Sequence, residues 1–346
     1  MSDSPCAEAA LLQFFMDNYI ETMDAIGRAL KQANHVIVIT HVGPDGDALG
    51  SLTAVGQALR KMKKMVTMAV DDGMTDRFDY LPLANHILPE ISYGKSDYDL
   101  LIAVDCGDAK RMGHCYANLM PKPPIINIDH HITNTLFGEF NLVPHNVAST
   151  CEVLFELFTH LKIKITPSIA NSLLTGIVTD TLCFRTPNTT PRTLEMASKL
   201  IEAGAELSPI VMRAMVLRDY STMKLWRDGL QSMRLEMRVA WTAVSKKTRQ
   251  RGGYEVGSSA GLASMMGNID EADCGVSLLE LDDGRVSVSM RSRAPFDVSK
   301  VAVELGGGGH AQAAGCTLNG SLQKAEYEVI RRLKAMVVET RATMGR

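Results

Sequence analysis

Four short runs in the first 130 residues are apolar at successive rather than alternate positions: His35-Val-Ile-Val-Ile-Thr40, Met65-Val-Thr-Met-Ala-Val70, Asp99-Leu-Leu-Ile-Ala-Val104 and Pro124-Ile-Ile-Asn-Ile128. Runs of this kind predict strands buried on both faces, as in a parallel sheet. Between the first two, Leu49, Leu52, Val55, Leu59 and Met62 recur at the spacing of one helix face. Helical spacing also marks residues 8–33, Thr150–Lys162, Pro167–Phe184 and Thr190–Ala203, the last closed by Gly204. Residues 71–98 are turn-rich and resist assignment. The texture then changes. Residues 207–231 predict a charged helical linker, and Met233–Val244 alternates like a strand. Cys274–Leu281 and Val286–Met290 flank Asp282-Asp283-Gly284, a hairpin signal. A short helix over Asp297–Leu305, a strand over Ala314–Leu318 and a last helix over Leu322–Thr340 complete the chain.

The expectation is an α/β protein. Residues 1–206 form a parallel-sheet domain with helices on both faces, 207–231 a helical linker, and 232–346 a smaller α/β domain. A length of 346 residues accommodates this arrangement with a sizeable core. The formal net charge of −3 argues against a broad basic face gripping long duplex, yet leaves room for short oligonucleotides. Seven cysteines without a Cys-x-x-Cys pair suggest neither a disulfide framework nor a zinc ribbon. With no signal-peptide pattern and no bilayer-length apolar stretch, a cytoplasmic location without membrane association is expected.

The chemistry lies where the predicted strands end. After the first come His41, Asp45 and Asp47 within His41-Val-Gly-Pro-Asp-Gly-Asp47, after the third Asp105, and after the fourth Asp129, His130 and His131. Taken alone, Pro44-Asp-Gly-Asp47 reads equally well as a solvated turn. Three separate strands each delivering imidazoles or carboxylates at their carboxyl ends make a mixed N/O donor set suited to Mn²⁺, Fe²⁺ or Zn²⁺. Asp180, in an otherwise apolar helical stretch, needs a partner if it is buried. The basic run Lys246-Lys-x-Arg-x-Arg251 is read as a solvated loop, and the twenty methionines as core filler.

Collected in order, these blocks resemble the DHH/DHHA1 phosphoesterases over residues 20–345. The likeness is greatest to the short bacterial branch of oligoribonucleases (nanoRNases) that also dephosphorylate 3′-phosphoadenosine 5′-phosphate. The blocks are His41-x-x-Pro-Asp-x-Asp-Ala-x-Gly-Ser51, Val104-Asp105, Asp129-His-His131, Gly176-Ile-x-x-Asp-Thr181 and Gly306-Gly-Gly-Gly-His-Ala-x-Ala-Ala-Gly315. The resemblance implies two divalent metal ions, with Mn²⁺ expected. One would be held by His41, Asp45 and Asp105, the other by Asp47, Asp105, His130 and Asp180, so that Asp105 bridges. It implies hydroxide attack on short oligoribonucleotides, giving 5′-mononucleotides, and on the bisphosphorylated nucleotide, giving AMP.

By the same resemblance, Asp129 orients the imidazoles and His131 faces substrate. Gly307, Gly308, Gly309 and His310 bind its phosphate together with Arg291, chosen over Arg293. Alternatives are a cyclic- or linear-dinucleotide phosphodiesterase and a nucleotide-binding sensor without catalysis; a homodimer is left open. Leu182-Cys183 departs from the branch's usual Gly-Ser, and Gly43 from its usual asparagine.

Overall fold

The computed structural model describes residues 5–344 except 72, 93, 96 and 256–258, and for residues 5–17, 94 and 95 it describes the backbone only. The chain divides into two compact units, Met1–Leu217 and Arg218–Arg346. The strands of the two main sheets are numbered β1 to β12 in chain order.

In the first unit, β1 (His35–Ile39), β2 (Met65–Ala69), β3 (Ile87–Leu88), β4 (Leu100–Val104), β5 (Ile125–Ile128) and β6 (Phe140–Leu142) form one sheet in the order β3-β2-β1-β4-β5-β6. Every pairing is parallel. Successive apolar residues explain it, because both faces are covered. Val36 and Val38 meet Leu49, Leu52, Leu154 and Leu173 of the helices Gly46–Lys61, Thr150–His160 and Pro167–Asp180. Ile37 and Ile39 meet Met112, Cys115 and Leu119, a thinner layer of short turns and one short helix. The sheet order reverses between β1 and β4, which puts a crevice at the carboxyl ends of β1, β4 and β5, the customary ligand position in open α/β sheets.

Two glycines set the helical layer. A Cβ on Gly50 would lie 2.6 Å from the Ser172 carbonyl, and one on Gly176 would collide with Cys151 Sγ and Asp47 Oδ1. Helices Gly46–Lys61 and Pro167–Asp180 therefore cross almost backbone to backbone, bringing Asp47 and Asp180 to the same place.

The second unit holds β7 (Arg234–Glu236), β8 (Val239–Val244), β9 (Cys274–Glu280), β10 (Val286–Ser292), β11 (Gly308–His310) and β12 (Ala313–Leu318), in the order β11-β12-β10-β9-β8-β7. Only β8 and β9 are parallel. Helix Leu322–Met344 buries Val329, Leu333 and Val337 on one face against Val239, Trp241, Val276 and Leu278. The short helix Leu262–Gly267 covers the other, beside Ala240, Val244 and Leu279.

Several expectations need correction. Met233–Val244 is not one strand, because Met237 and Arg238 (φ 46° and 63°) make a two-residue turn between β7 and β8. The helix begun at Pro167 stops at Asp180, and Leu182, Cys183 and Phe184 follow in left-handed backbone (φ 48°, 61° and 62°). Residues 207–231 are not one continuous helix. The segment breaks after Val216, and a fresh helix, Tyr220–Gln231, starts with Asp219 as its cap. Lys246–Arg251 is a helix rather than a solvated loop, and Arg249, 2% exposed, donates to the carbonyls of Tyr254 and Glu280 and to Asp282. Among the described residues, no helix is long and apolar enough to cross a membrane.

Candidate active site

The crevice at the sheet's reversal collects His41, Asp45, Asp47, Asp105, Asp129, His130, His131 and Asp180. Each is placed by a local rule. His41 leaves β1 directly, and its Nδ1 donates to the Val42 carbonyl at 2.9 Å. Asp45 is the N-cap of helix Gly46–Lys61, its Oδ1 accepting from the amides of Asp47 and Ala48 at 3.0 and 3.1 Å. Asp105 ends β4 in left-handed backbone (φ 57°), a conformation that aspartate tolerates and that turns its carboxylate inward. Asp180 is the last residue of helix Pro167–Asp180.

Three overlapping groups of donor atoms result among the described residues, each within 4.8 Å: His41 with Asp45 and Asp105, Asp47 with His130 and Asp180, and Asp105 with Asp129, His130 and His131. Asp105 faces the first two as well as belonging to the third. Its Oδ2 lies 3.5 Å from His41 Nε2 and its Oδ1 3.8 Å from His130 Nε2, which is itself 3.3 Å from Asp180 Oδ2. With the Nδ1 proton of His41 committed to Val42, a neutral ring turns a lone pair at Nε2 toward a carboxylate oxygen. Two acceptors facing each other in a buried place are satisfied by a proton on Nε2, which the Asp105 carboxylate favours, or by a cation.

The electrostatics divide the carboxylates: against the effect of burial, the His41 hydrogen bond and the neighbouring imidazoles hold Asp105 below its ordinary range, and Asp105 in turn raises His41 against its own burial. Burial, then the charge of neighbouring Asp105, pushes the Asp47 carboxyl well above the ordinary range, and the same two causes in the same order push Asp180 up to about 8. Carboxylates crowded out of water lack positive charge, and a divalent cation would supply it.

Asp129 and His131 form a hydrogen-bonded pair within the third group. His131 Nδ1 donates to Asp129 Oδ1 at 2.7 Å, while Asp129 Oδ2 accepts from Asn134 Nδ2 at 2.6 Å. Asp129 is wholly buried. Its hydrogen bond raises His131 to about 9. The geometry fixes one ring nitrogen and leaves Nε2 to act.

The site also contains a residue that sequence reasoning missed. The helix Thr150–His160 starts against the carboxylates. Thr150 N donates to Asp47 Oδ2 at 2.6 Å, Cys151 N to Asp47 Oδ1 at 3.0 Å, and the Thr150 hydroxyl to Asp105 Oδ1 at 2.9 Å. Ser149-x-x-Glu152 carries the capping pattern that signals this helix start, and Ser149 Oγ does accept from Glu152 N at 3.2 Å. The pattern marks an N-terminus without saying what it faces.

In the second unit, β-pairing sets Gly275, Arg291, Ala313 and His310 in one row across four strands. Directly opposed residues share a face, so Arg291 and His310 stand on either side of the small Ala313. Arg291 is half-buried and donates only to the neighbouring Met290 carbonyl at 2.9 Å, with no carboxylate partner among the described residues. Arg293 instead donates to the Gly267 and Ile269 carbonyls at 3.2 and 2.9 Å. The glycine run is partly strand: Gly308 and Gly309 pair with Gly315 and Ala314, and a Cβ on Gly307 would strike the Gly315 carbonyl.

Residues 35–177 match the DHH family, N-terminal domain, and residues 238–339 match the DHHA1 domain. The bifunctional oligoribonuclease and PAP phosphatase NrnA of Thermus thermophilus is 32% identical over 90% of this chain and 92% of its own length. Its Bacillus subtilis counterpart is 26% identical over 84% and 91%. An exopolyphosphatase-related protein from Bacteroides fragilis shares the fold with a TM-score of 0.82 at 22% identity, over 92% of this chain and 97% of that one.

Proposed function

This chain belongs to the DHH/DHHA1 family and hydrolyses phosphate esters, and from that premise we propose a metal-dependent oligoribonuclease that also dephosphorylates 3′-phosphoadenosine 5′-phosphate. Its products would be 5′-mononucleotides from short RNAs, and AMP with phosphate from the bisphosphorylated nucleotide. The observation that supports this reading is the position of Asp105, with Oδ2 toward His41 and Oδ1 toward His130. We assign His41, Asp45 and Asp105 to one cation and Asp47, Asp105, His130 and Asp180 to a second, with Mn²⁺ suiting the mixed N/O set. Such ions polarise a phosphoryl oxygen and acidify water.

The chain's own residues do the rest. Asp129 holds the Nδ1 proton of His131, so that Nε2 carries the proton given to the leaving oxygen. The amides and hydroxyl of Thr150 and Cys151 keep Asp47 and Asp105 aimed at the donors. Arg291 and His310, beside the exposed Gly308 and Gly309, bind substrate phosphate, since a guanidinium without a carboxylate partner among the described residues is an anion site. With a net charge of −3, few phosphates are engaged, which favours short substrates. Short RNA fragments arise in the cytoplasm, the compartment this reading assigns.

The test is a labelled RNA ladder from the dinucleotide upwards, followed in time with Mn²⁺ and the purified protein, beside an Asp105→Ala control. The dinucleotide should be cleaved at least as fast as any longer strand. A strong preference for long strands, or near-native turnover by Asp105→Ala, would overturn the reading. A preference for cyclic dinucleotides would move it to a signalling phosphodiesterase.

A further inference from the structure

Helix Pro167–Asp180 ends on a site residue, and the chain then turns through Thr181. Thr181 is wholly buried and pins the turn at both ends. Its hydroxyl donates to the Ile177 carbonyl at 2.5 Å and accepts from Phe184 N at 3.0 Å. Cys183 N donates to the Val178 carbonyl at 2.7 Å, and Arg185 Nε to the Leu182 carbonyl at 2.7 Å. Leu182, Cys183 and Phe184 are thereby held in left-handed backbone, where a Cβ crowds the carbonyl oxygen that follows it.

Two of the three gain packing in return. Cys183 and Phe184 lie partly buried against the core of the first unit. Leu182 joins no buried cluster among the described residues and is 49% exposed. A glycine would adopt this backbone without strain, so a leucine here lowers stability and gains nothing from packing. A local rule broken without structural return points to a functional position. Leu182 stands two residues past Asp180, whose carboxylate lies 3.3 Å from His130 Nε2. Val42 and Ile132, 41 and 79% exposed, directly follow His41 and His131. Exposed apolar side chains thus come just after three residues whose donor atoms meet in the crevice.

We propose that Leu182 is a specificity-determining residue, its side chain packing on the nucleobase of a substrate whose phosphate is held beside Asp180 and His130. The proposal rests on the reading of this chain as a phosphoesterase of nucleotides. Carboxylates, imidazoles and the cations they hold grip a phosphate and are blind to what it is attached to. Telling a nucleotide from another phosphate ester needs an apolar surface within a nucleotide's length of that phosphate. Enzyme pockets hold bases between aromatic or apolar side chains, and the face of a leucine serves. The hydrogen bonds around Thr181 fix the turn beforehand, so the contact costs little ordering when substrate binds.

Substrates that differ only in the base test it. Leu182→Ala removes the side chain beyond Cβ and keeps the backbone strain; Leu182→Gly removes both. On 3′-phosphoadenosine 5′-phosphate with Mn²⁺, both variants should raise KM about tenfold with kcat little changed, the loss expected of one apolar contact. On the matching ribose bisphosphate, with a hydroxyl in place of the base, KM should shift by less than about twofold. Leu182→Gly should melt about 2–4 °C above Leu182→Ala, because glycine alone is free of the left-handed strain. Equal KM changes on the two bisphosphates, no change on either, or a glycine variant that melts below the alanine one would overturn the proposal. A wild type that hydrolyses neither compound would instead sink the nucleotide reading. Calorimetry of AMP against ribose 5-phosphate, with Mn²⁺ present, would then still decide on Leu182. A preference for AMP that Leu182→Ala loses upholds the contact; a preference that survives, or one missing in the wild type, removes it.

Discussion

The hydroxyl of Thr150 donates to Asp105 Oδ1 at 2.9 Å, and the backbone N–H of the same residue donates to Asp47 Oδ2 at 2.6 Å. One residue at a helix start thus braces two carboxylates from strands and helices far away in sequence. Thr150→Val removes only the hydroxyl and keeps the shape. Loss of an outer hydrogen bond to a metal-binding carboxylate lowers affinity about 10- to 100-fold. Calorimetric titration of Mn²⁺ into Thr150→Val should show that loss, with Thr150→Ser close to wild type. Equal affinities in all three would leave Thr150 a helix residue and nothing more.

A second prediction concerns Gly176. A Cβ there would collide with Cys151 Sγ and with Asp47 Oδ1. Gly176→Ala should therefore displace the Asp47 carboxylate as well as strain the helix crossing. Turnover should fall at least about tenfold, while the melting temperature drops by the few degrees of a modest overpacking. Gly50→Ala, which meets the Ser172 backbone carbonyl instead, should cost stability first.

Adding and removing metal gives a third. Carboxylates crowded within 4.8 Å oppose folding until a cation neutralises them. Mn²⁺ at about one hundred times its Kd should stabilise the protein by about 2.7 kcal/mol per site, and a chelator should reverse the effect. Thermal melts of wild type and Asp105→Ala with and without Mn²⁺ check this. The variant should gain little.

These cases show what the sequence could and could not reveal. His41, Asp45, Asp47, Asp105 and Asp129–His131 were legible because each follows a short apolar run, and the ends of neighbouring parallel strands meet. Thr150 was not, since its amide finds Asp47 across 103 positions and its Ser149-x-x-Glu152 pattern looks like any helix start. Arg249 was misread because a basic run looks solvated; its buried partners are the Tyr254 and Glu280 carbonyls, invisible to local pattern. Met233–Val244 alternates across a turn that needs two left-handed residues, for which Met237-Arg238 gives no glycine or asparagine signal.

The fourth prediction is a pH dependence. Asp273 is buried, which alone would raise its carboxyl. Arg341 (2.6 and 2.9 Å) and Arg238 (3.0 Å) outweigh this and hold it below the usual range. A depressed folded value means stability that is present above the unfolded value of about 3.9 and lost as pH falls through the folded one. Asp273→Asn should cost about 1–2 kcal/mol at neutral pH, discounted because both arginines are partly exposed. Denaturant melts should show the gap closing below about pH 4. A gap constant down to pH 2 would mean the charge is immaterial.

The last prediction separates phosphate binding from the metal groups. Arg291 and His310 flank Ala313 in one row, and among the described residues neither belongs to a group of donors that could hold a cation. Arg291→Ala should therefore leave Mn²⁺ affinity unchanged and lower kcat/KM on nucleotide substrates by about 10- to 100-fold, the loss expected of a charged phosphate contact. Arg291→Lys should recover only part, because an ammonium cannot grip two oxygens in one plane. Bis-p-nitrophenyl phosphate uses less of the binding surface, so its hydrolysis should fall much less. Arg293→Ala, whose guanidinium is tied to the Gly267 and Ile269 carbonyls, should spare both substrates. Steady-state kinetics of the three variants on both esters, beside calorimetry, decide it. An equal loss on the two esters, or a lost metal site, would assign Arg291 to the reacting centre itself.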